Sequence, residues 1–235
     1  VYGIQILGAN EHTANIYYNS VRIGGVHTGG TAGSVISAGI YKGNTSATSI
    51  YNQKNNVVLN TRTGGTAGTF HTGFYVGATN LVGTYDIDYN VYYGVDASSL
   101  HACWGGNYYS DINLYKAAAT PNEQNTIFKT TAFVSGTDLH LTGSSISDSD
   151  LTALPIASIT DDIDGQTRHA TTPYRGADEA DVSIPVELVS FDASVNGNSV
   201  SLNWITATEL NNSGFQIERK TNISGWIKVG FVPGN

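Results

Sequence analysis

One short stretch of the sequence is rich in carboxylates that could hold a cation. Asp161, Asp162 and Asp164 lie beside Gly165 in a single turn, and Arg168 follows. Aspartate oxygens are the hard ligands that calcium prefers, although the run matches only part of the loop found in dedicated calcium sites. The three aspartates therefore have two interpretations: a calcium site, or a tight turn stabilised by a local ion pair with Arg168. The residues favour the second, which requires no ligand.

Tyrosines form the second group with chemical potential, because the chain contains 14 of them. Several occur as neighbouring pairs, which place one ring on each face of a strand. An outward tyrosine ring can stack on a sugar. This interpretation predicts a glycan-binding platform made of Tyr17, Tyr51, Tyr85 and Tyr92. The alternative is a column of rings stacked inside the protein.

Groups suited to acid–base catalysis are few. Asp86 and Asp88 lie two residues apart, so both would point from the same face of a strand. Cleavage of an acidic polysaccharide by elimination needs a base and a cation that neutralises the substrate carboxylate. The basic residues of this region are scattered over different segments: Arg22, Lys42, Lys54 and Arg62. We therefore predict a protein without catalytic residues.

The histidines and the cysteine indicate no further site. None of the histidines has the spacing of metal ligands: His12, His27, His71, His101, His140 and His169. Cys103 is the only cysteine, so it cannot form an intrachain disulfide, and we expect a small packed side chain. No cofactor is expected, with calcium as the one alternative.

The overall composition limits the fold class and the partners. The 235 residues include 11 Lys+Arg and 19 Asp+Glu, and the net charge of -8 argues against nucleic acid as a partner. Glycine is frequent, with 27 residues against 5 prolines, and this mixture favours strands and turns. We therefore expect an all-β protein. Direct membrane insertion is not expected, because no apolar run approaches the roughly 20 residues that a spanning helix needs.

An internal repeat indicates the architecture. The run Gly-Gly-Thr-Ala-Gly at 29–33 recurs at 64–68, and each copy leads to a similar strand, at 39–43 and 73–77. A second marker, asparagine followed by β-forming residues, has nearly the same period and begins at Asn19, Asn56 and Asn90. Two independent markers with one period are typical of a solenoid.

Each period contains about three short strands separated by glycine or asparagine corners. Asparagine suits such corners because it tolerates left-handed backbone angles. One turn alone cannot bury its inward face, whereas stacked turns bury a continuous core. The sequence therefore predicts a parallel β-helix. The alternative is a β-sandwich that contains two similar hairpins.

More specific motifs follow the repeats. They are a helical stretch at 111–119, the acidic turn at 160–168 and the segment Pro-Tyr-Arg-Gly-Ala-Asp-Glu at 173–179. With these motifs, residues 3–178 resemble the right-handed parallel β-helix proteins of the pectin-lyase-like superfamily, in the form common among secreted proteins of Bacteroidetes. In that family the motifs have the order of the last coils and the closure of the helix.

The resemblance implies a β-helix over 1–179, of which about 95–179 form an irregular cap. Some members of the superfamily cleave acidic polysaccharides, so a lyase is one functional alternative. Asp178 and Glu179 lie where the last coil is expected to end, and we expect both carboxylates to be solvated.

A second set of motifs lies after a predicted linker at 180–184. The runs PVELVSF, LNWITATELNNSGFQIER and W-x-K-V-G-F-V occur in this order within 185–235. They are similar to the fibronectin type III-like module that precedes the sorting domain in many proteins exported by type IX secretion. The resemblance implies an extracellular or cell-surface protein with a partial fibronectin III/Ig-like β-sandwich.

The module is only half present, since 51 residues provide about four strands and such sandwiches usually need about seven. Half a sandwich leaves an apolar face open, and five residues are predicted on or near it: Phe191, Trp204, Phe215, Ile217 and Trp226. The first explanation is a truncated chain. The second is that another copy completes the sandwich, or that the open N-terminal coil stacks on a neighbour, which would produce fibres.

Taken together, the sequence predicts a secreted, non-catalytic protein with a structural or adhesive function. Its expected partners are further copies of itself and, through the tyrosines, a glycan. The alternative is a carbohydrate-binding or lyase-type carbohydrate-active protein.

Overall fold

A computed structural model describes residues 1–28, 36–65, 70–95, 100–180, 188–207, 214–221 and 224–234. Contacts between residues divide the chain into two compact units, Val1–Ala180 and Asp181–Asn235. Several predicted features lie outside the described residues. They are the first Gly-Gly-Thr-Ala-Gly run, most of the second, the linker beyond Ala180, and parts of the two longer motifs of the second unit.

The first unit is a β-solenoid of about three turns. The first turn contains β1 (Tyr2–Ile6), β2 (Thr13–Tyr17), β3 (Ser20–Ile23) and β4 (Val26–His27). The second contains β5 (Ile36–Lys42), β6 (Ile50–Lys54), β7 (Val57–Asn60) and β8 (Thr63–Gly64). The third contains β9 (Phe70–Val76), β10 (Thr84–Asp88) and β11 (Val91–Gly94). The end of the solenoid adds β12 (Ala102–Trp104), β13 (Asn107–Tyr109) and β14 (Ile127–Phe128).

Each strand pairs in parallel with its equivalent one turn away, except β13, which pairs antiparallel with β12. One sheet contains β1, β5, β9 and β12, a second contains β2, β6 and β10, and a third contains β3, β7, β11 and β14. The register follows the sequence period, since Thr13 pairs with Ile50 and Ser20 with Val57. The predicted parallel solenoid is confirmed, and the alternative of a sandwich with two similar hairpins is wrong for this part of the chain.

The three sheets enclose an apolar core whose buried members include Ile16, Ile40, Val58, Phe74, Ile87 and Tyr92. Two glycines of the repeat allow the first sheet to approach the third. A Cβ atom on Gly39 would lie 2.0 Å from Val58 Cγ1, and one on Gly73 would lie 3.0 Å from Tyr92 Cβ. These glycines recur because the backbone there touches the opposite sheet.

The corner between the second and third sheets has the same backbone conformation in all three turns. One residue has a positive φ angle: 52° at Tyr18, 60° at Asn55 and 56° at Tyr89. This conformation is uncommon outside glycine, and here it redirects the chain from one sheet to the next within a single residue.

The residue after each of these corners is an asparagine, and the three side chains form a ladder. Asn56 Oδ1 accepts hydrogen bonds from the backbone N and from Nδ2 of Asn19, both at 2.9 Å. One turn further, Asn90 Oδ1 accepts from Asn56 N at 3.2 Å and from Asn56 Nδ2 at 2.8 Å. Asn56 Nδ2 also donates to the carbonyl of Ile16 at 2.9 Å. Because Asn56 and Asn90 are fully buried, these bonds replace water at the corner.

The helical stretch predicted at 111–119 is confirmed. Helix α1 spans Ile112–Ala119, and the Asp111 side chain caps it by accepting from the backbone N–H groups of Asn113 and Leu114. The helix buries Tyr115 at the end of the core.

A buried carboxylate, Glu123, ends the asparagine ladder. Glu123 Oε1 accepts from the hydroxyls of Tyr92 at 2.8 Å and Tyr115 at 2.9 Å. Glu123 Oε2 accepts from the Thr126 hydroxyl and from Asn90 Nδ2. Burial raises the pKa of Glu123 from its usual 4.5 to about 7, although these hydrogen bonds oppose the shift.

Residues 129–180 contain little regular structure and cover the corner of the solenoid. Gly176 N donates to Asn55 O at 2.8 Å, and Asn55 Nδ2 donates to Leu154 O at 2.8 Å. Arg175 Nη1 donates to Asn90 O at 3.1 Å, and the Arg175 guanidinium lies 5.6 Å from the centre of the Tyr89 ring. The closing segment therefore binds directly to the corner residues that the ladder positions.

Two expectations about the closing segment are wrong. Within the described part of the chain, Arg168 forms its ion pair with Glu179, at 3.4 Å, and not with the aspartates of the acidic turn. Asp178 and Glu179 are not solvated, because only 6% and 8% of their surface is exposed. Arg168 is buried as well, and its guanidinium lies 3.9 Å from the centre of the Tyr18 ring.

The second unit consists of two antiparallel hairpins. β15 (Leu188–Asn196) pairs with β16 (Ser199–Thr206), and β17 (Gly214–Thr221) pairs with β18 (Ser224–Pro233). The expected fibronectin-like sandwich is not confirmed, since the four described strands form two separate two-stranded sheets.

Substitution of Asn56 tests the ladder. We expect Asn56→Ala to lower the free energy of unfolding by about 2–4 kcal/mol, because it removes the acceptor of the Asn19 backbone N–H and the buried amide that donates to Ile16 O and Asn90 Oδ1. Denaturant unfolding followed by circular dichroism measures the change. Asn52→Ala is the matched control, because the Asn52 side chain bonds to the exposed Asn15 side chain. We expect the control to lose less than about 0.5 kcal/mol, and equal losses in the two variants would contradict this role.

The buried Glu123 predicts a pH dependence. Its pKa is higher in the folded protein than in the unfolded chain, so its contribution to stability is complete below pH 4.5 and is lost as the pH rises to about 7. We expect the free energy of unfolding to decrease less over this interval in Glu123→Gln, because the amide does not ionise and its carbonyl oxygen can still accept from the tyrosine hydroxyls. Urea unfolding at several pH values measures the two slopes. Substitution of the exposed Glu11 by Gln is the control, and a Glu123→Gln slope equal to the wild-type slope would refute the prediction.

Candidate functional sites

A groove of about 340 Å³ lies along the corner of the first unit. One wall is a row of equivalent residues in the second sheet, because the register places Tyr17 of β2, Lys54 of β6 and Asp88 of β10 side by side. Leu154 and Ile156 of the closing segment also line the groove. The groove therefore combines an aromatic ring and apolar side chains with charged groups.

The charged groups of the groove already have partners. Lys54 Nζ forms a salt bridge of 2.7 Å with Asp86 Oδ2, and both side chains are partly exposed. Asp88 accepts from the backbone N–H groups of Tyr89 at 2.9 Å and Asn125 at 2.6 Å. Asp86 therefore forms an ion pair, whereas Asp88 binds backbone N–H groups. Lys54 retains donors that could bond the hydroxyl groups of a ligand.

The predicted tyrosine platform is only partly present. Tyr17 is half-buried and lines the groove. Tyr51 and Tyr92 have 2% and 0% of their surface exposed, so the prediction that their rings face solvent is wrong. Both rings point into the core, where Tyr51 bonds to Gln53 and Tyr92 bonds to Glu123. Tyr51 and Tyr92 therefore match the alternative prediction, in which the rings stack inside the protein.

The fourth predicted ring, Tyr85, is half-buried against the core. Its ring centre lies 5.8 Å from that of Tyr51 and 5.5 Å from that of Trp104, and its hydroxyl donates to Asn80 O at 3.0 Å. Burial raises the pKa of Tyr85 above its usual value. Tyr85 therefore contributes to packing at the end of the solenoid.

Another row of tyrosines, which the sequence analysis did not single out, follows the first sheet. Neighbouring ring centres are 4.3 Å apart for Tyr2 and Tyr41, 5.2 Å for Tyr41 and Tyr75, and 6.2 Å for Tyr75 and Tyr108. The signal was available, since Tyr41 and Tyr75 occupy the same position in the two repeats Gly-Ile-Tyr-Lys-Gly and Gly-Phe-Tyr-Val-Gly. Because the rings of Tyr41 and Tyr75 are parallel within 2°, their faces cover each other.

The acidic turn does not bring its three aspartates together as one set of ligands. The Asp162 side chain accepts from three backbone N–H groups, including Glu179 N at 3.0 Å. Asp161 is exposed, and its backbone forms a bridge within the turn. Asp164 Oδ2 lies 2.6 Å from His140 Nε2. The predicted calcium ligands Asp161, Asp162 and Asp164 thus have three different environments.

Asp164 belongs to a cluster that the spacing of the residues did not indicate. His140, Asp164 and Asp178 place one ligand atom each within 4.8 Å of the others. His140 Nδ1 bonds to the Asp138 carboxylate, and His140 Nε2 bonds to Asp164. These two carboxylates, Asp138 before Asp164, raise the pKa of His140 to about 9 because they favour the protonated ring. Sequence reasoning missed the cluster because the closing segment unites residues that lie far apart in the sequence, at 140, 164 and 178.

Apolar side chains of the second unit are largely exposed. Trp204 and Phe215 contact each other, with ring centres 5.4 Å apart. With Ile217 they line a groove of about 320 Å³. Phe191 and Trp226 are 58% and 67% exposed. Phe191 also lines the groove, so four of the five residues predicted for assembly lie at it, and Trp226 lies elsewhere on the exposed surface.

Comparison with protein-family models, curated proteins and solved structures yields no significant match. The solenoid is shown by the structure of the chain itself. The pectin-lyase-like and fibronectin relationships stay predictions that depend on the motifs. None of the helices in the described ranges has the length and apolar character to cross a membrane.

Proposed function

We propose that the protein is an extracellular, non-catalytic β-solenoid with a structural or adhesive function, and that it associates through its second unit. The observation that carries this proposal is the exposure of large apolar side chains on four short strands. Besides Phe191 and Trp226, at least half of the surface is exposed for Val195, Val200, Ile205, Ile227, Val229 and Phe231.

Such a surface is costly in water. A two-stranded ribbon is at best marginally stable alone, and a large exposed apolar patch marks a site of association. Each hairpin also has backbone groups along strand edges that no other described strand pairs. The unit would gain stability by burying this surface against another protein.

The charges of the second hairpin support a second copy of this chain as the partner. Glu218, Arg219 and Lys220 are neighbours in β17, and Lys228 faces Glu218 across the hairpin. Because both signs occur on one short strand, an antiparallel contact between two copies can place glutamate opposite lysine or arginine. A contact of this kind closes a dimer if it is symmetric and extends a fibre if it is not.

Removal of two exposed rings tests the association. We expect the wild-type chain to form dimers or larger assemblies as its concentration rises, and Phe191→Ser combined with Trp226→Ser to stay monomeric, because the buried apolar area is lost. Light scattering coupled to size-exclusion chromatography measures the mass. Leu114→Ser is the matched control, since Leu114 is 64% exposed on the first unit. A wild-type chain that stays monomeric at high concentration would refute the proposal.

Glycan binding is a second candidate function, and the corner groove favours it. Tyr17 offers a half-exposed ring, Leu154 and Ile156 add apolar surface, and Lys54 with Asp86 offers hydrogen-bonding groups beside the ring. This combination suits a sugar, which presents apolar faces and hydroxyl edges. The groove supports binding rather than cleavage, because its lysine is held in an ion pair with Asp86 and is not a free base.

Two tyrosine substitutions identify the sugar-binding surface. We expect Tyr17→Ala to weaken glycan binding about tenfold, which corresponds to one lost ring contact. Glycan arrays find the ligand, and calorimetry measures its affinity. Tyr2→Ala is the control, because Tyr2 lies in the other tyrosine row. A loss of binding in Tyr2→Ala but not in Tyr17→Ala would contradict a site in the groove.

A further inference from the structure

Three distant segments of the first unit meet at His140, Asp164 and Asp178. His140 is next to Leu141, whose backbone bridges to Phe133. Asp164 belongs to the acidic turn, and Asp178 belongs to the closing segment that packs on the solenoid. None of the three residues lines the corner groove, and neither proposed function uses the cluster.

The cluster contains a nitrogen and two carboxylates in reach of one cation. His140 Nε2 lies 2.6 Å from Asp164 Oδ2, and the ligand atoms of all three residues lie within 4.8 Å of one another. A cation with bonds of about 2.0–2.2 Å requires neighbouring ligands about 3 Å apart. His140 and Asp164 are partly exposed, with 43% and 48% of their side-chain surface accessible, so both can make this adjustment.

Asp178 gives independent support for a ligand. Its carboxylate is only 6% exposed and lies on the inner side of the cluster. Within the described part of the chain it accepts one hydrogen bond, from Leu141 N at 2.6 Å, and the positive charge that acts on it most directly is that of the His140 ring in the same cluster. A buried carboxylate with so few partners is unfavourable unless a cation neutralises it.

Asp138 orients the histidine. The Asp138 carboxylate bonds to His140 Nδ1, so the other ring nitrogen, Nε2, points to Asp164. A metal-binding histidine commonly donates its second ring N–H to a carboxylate in this way, which fixes the ring and makes the free nitrogen a better ligand. The cluster thus contains three possible metal ligands and a carboxylate, Asp138, that holds one of them, His140, in place.

We propose that His140, Asp164 and Asp178 bind a divalent first-row transition metal ion such as zinc, with Asp138 as the residue that positions His140. The ion would take the place of the proton between His140 Nε2 and Asp164 Oδ2. An imidazole nitrogen in the ligand set favours such an ion over calcium, which is coordinated by oxygen atoms. The bound ion would tie the closing segment to the acidic turn and to the strand end at Leu141, so its effect would be structural.

Cobalt and zinc titrations of the 235-residue chain test the proposal. We expect one Co²⁺ per chain with visible absorption bands typical of nitrogen and oxygen ligands, its displacement by Zn²⁺, and a higher melting temperature with either ion. His140→Ala and Asp164→Asn are expected to abolish this binding. Asp138→Asn is expected to weaken it by about tenfold or more. Circular dichroism checks that each variant is folded.

His169→Ala is the matched control, because His169 is an exposed histidine of the same segment outside the cluster. We expect this variant to bind cobalt like the wild-type chain. The proposal is overturned if folded His140→Ala and Asp164→Asn bind the ion with wild-type affinity, if His169→Ala alone loses it, or if the wild-type chain binds calcium but neither cobalt nor zinc.

Discussion

The asparagine side chains at the corner between the second and third sheets are the constraint on which the first unit depends. A chain that turns from one sheet to the next through a single residue of positive φ leaves backbone groups of the corner without partners in a dry interior. Asn19, Asn56 and Asn90 supply those partners and also bond to each other along the axis of the solenoid. Because each amide both donates and accepts, every turn specifies the register of the next one.

A ladder of this kind needs a suitable end, and Glu123 meets this need. The groups that reach the last turn are donors: the amide of Asn90 and the hydroxyls of Tyr92, Tyr115 and Thr126. A carboxylate accepts from all of them, whereas an apolar residue would leave the three buried hydroxyl groups without an acceptor for their protons. The raised pKa of Glu123 is the electrostatic consequence of this solution, since the acceptor must lie where water does not reach it.

The features that could be predicted depend on residues that are close together or regularly repeated in the sequence, and the features that were missed do not. The period of Asn19, Asn56 and Asn90 was sufficient to predict the strands of the solenoid, because the pattern is local and repeated. The same pattern did not predict whether the Tyr51 side chain points to the core or to solvent, because a shift of one residue along a strand reverses the face. In the structure Tyr51 is buried, whereas its neighbour Ile50 is 43% exposed. The site around His140 was hidden for a third reason: it depends on the closing segment, whose contacts join residues as far apart as Ser20 and Ala177.

The two units show opposite solutions to one physical problem, the unpaired backbone of a strand edge. In the solenoid the strands of the three sheets in the middle turn, β5, β6 and β7, have a neighbour above and below, and the closing segment covers the corner where the chain turns. In the second unit each described strand has one neighbour, and its rings pack only where Trp204 meets Phe215. Surface that the chain does not bury within itself is available to a partner, so the association that we propose would follow from the fold in the second unit and from side-chain chemistry in the first.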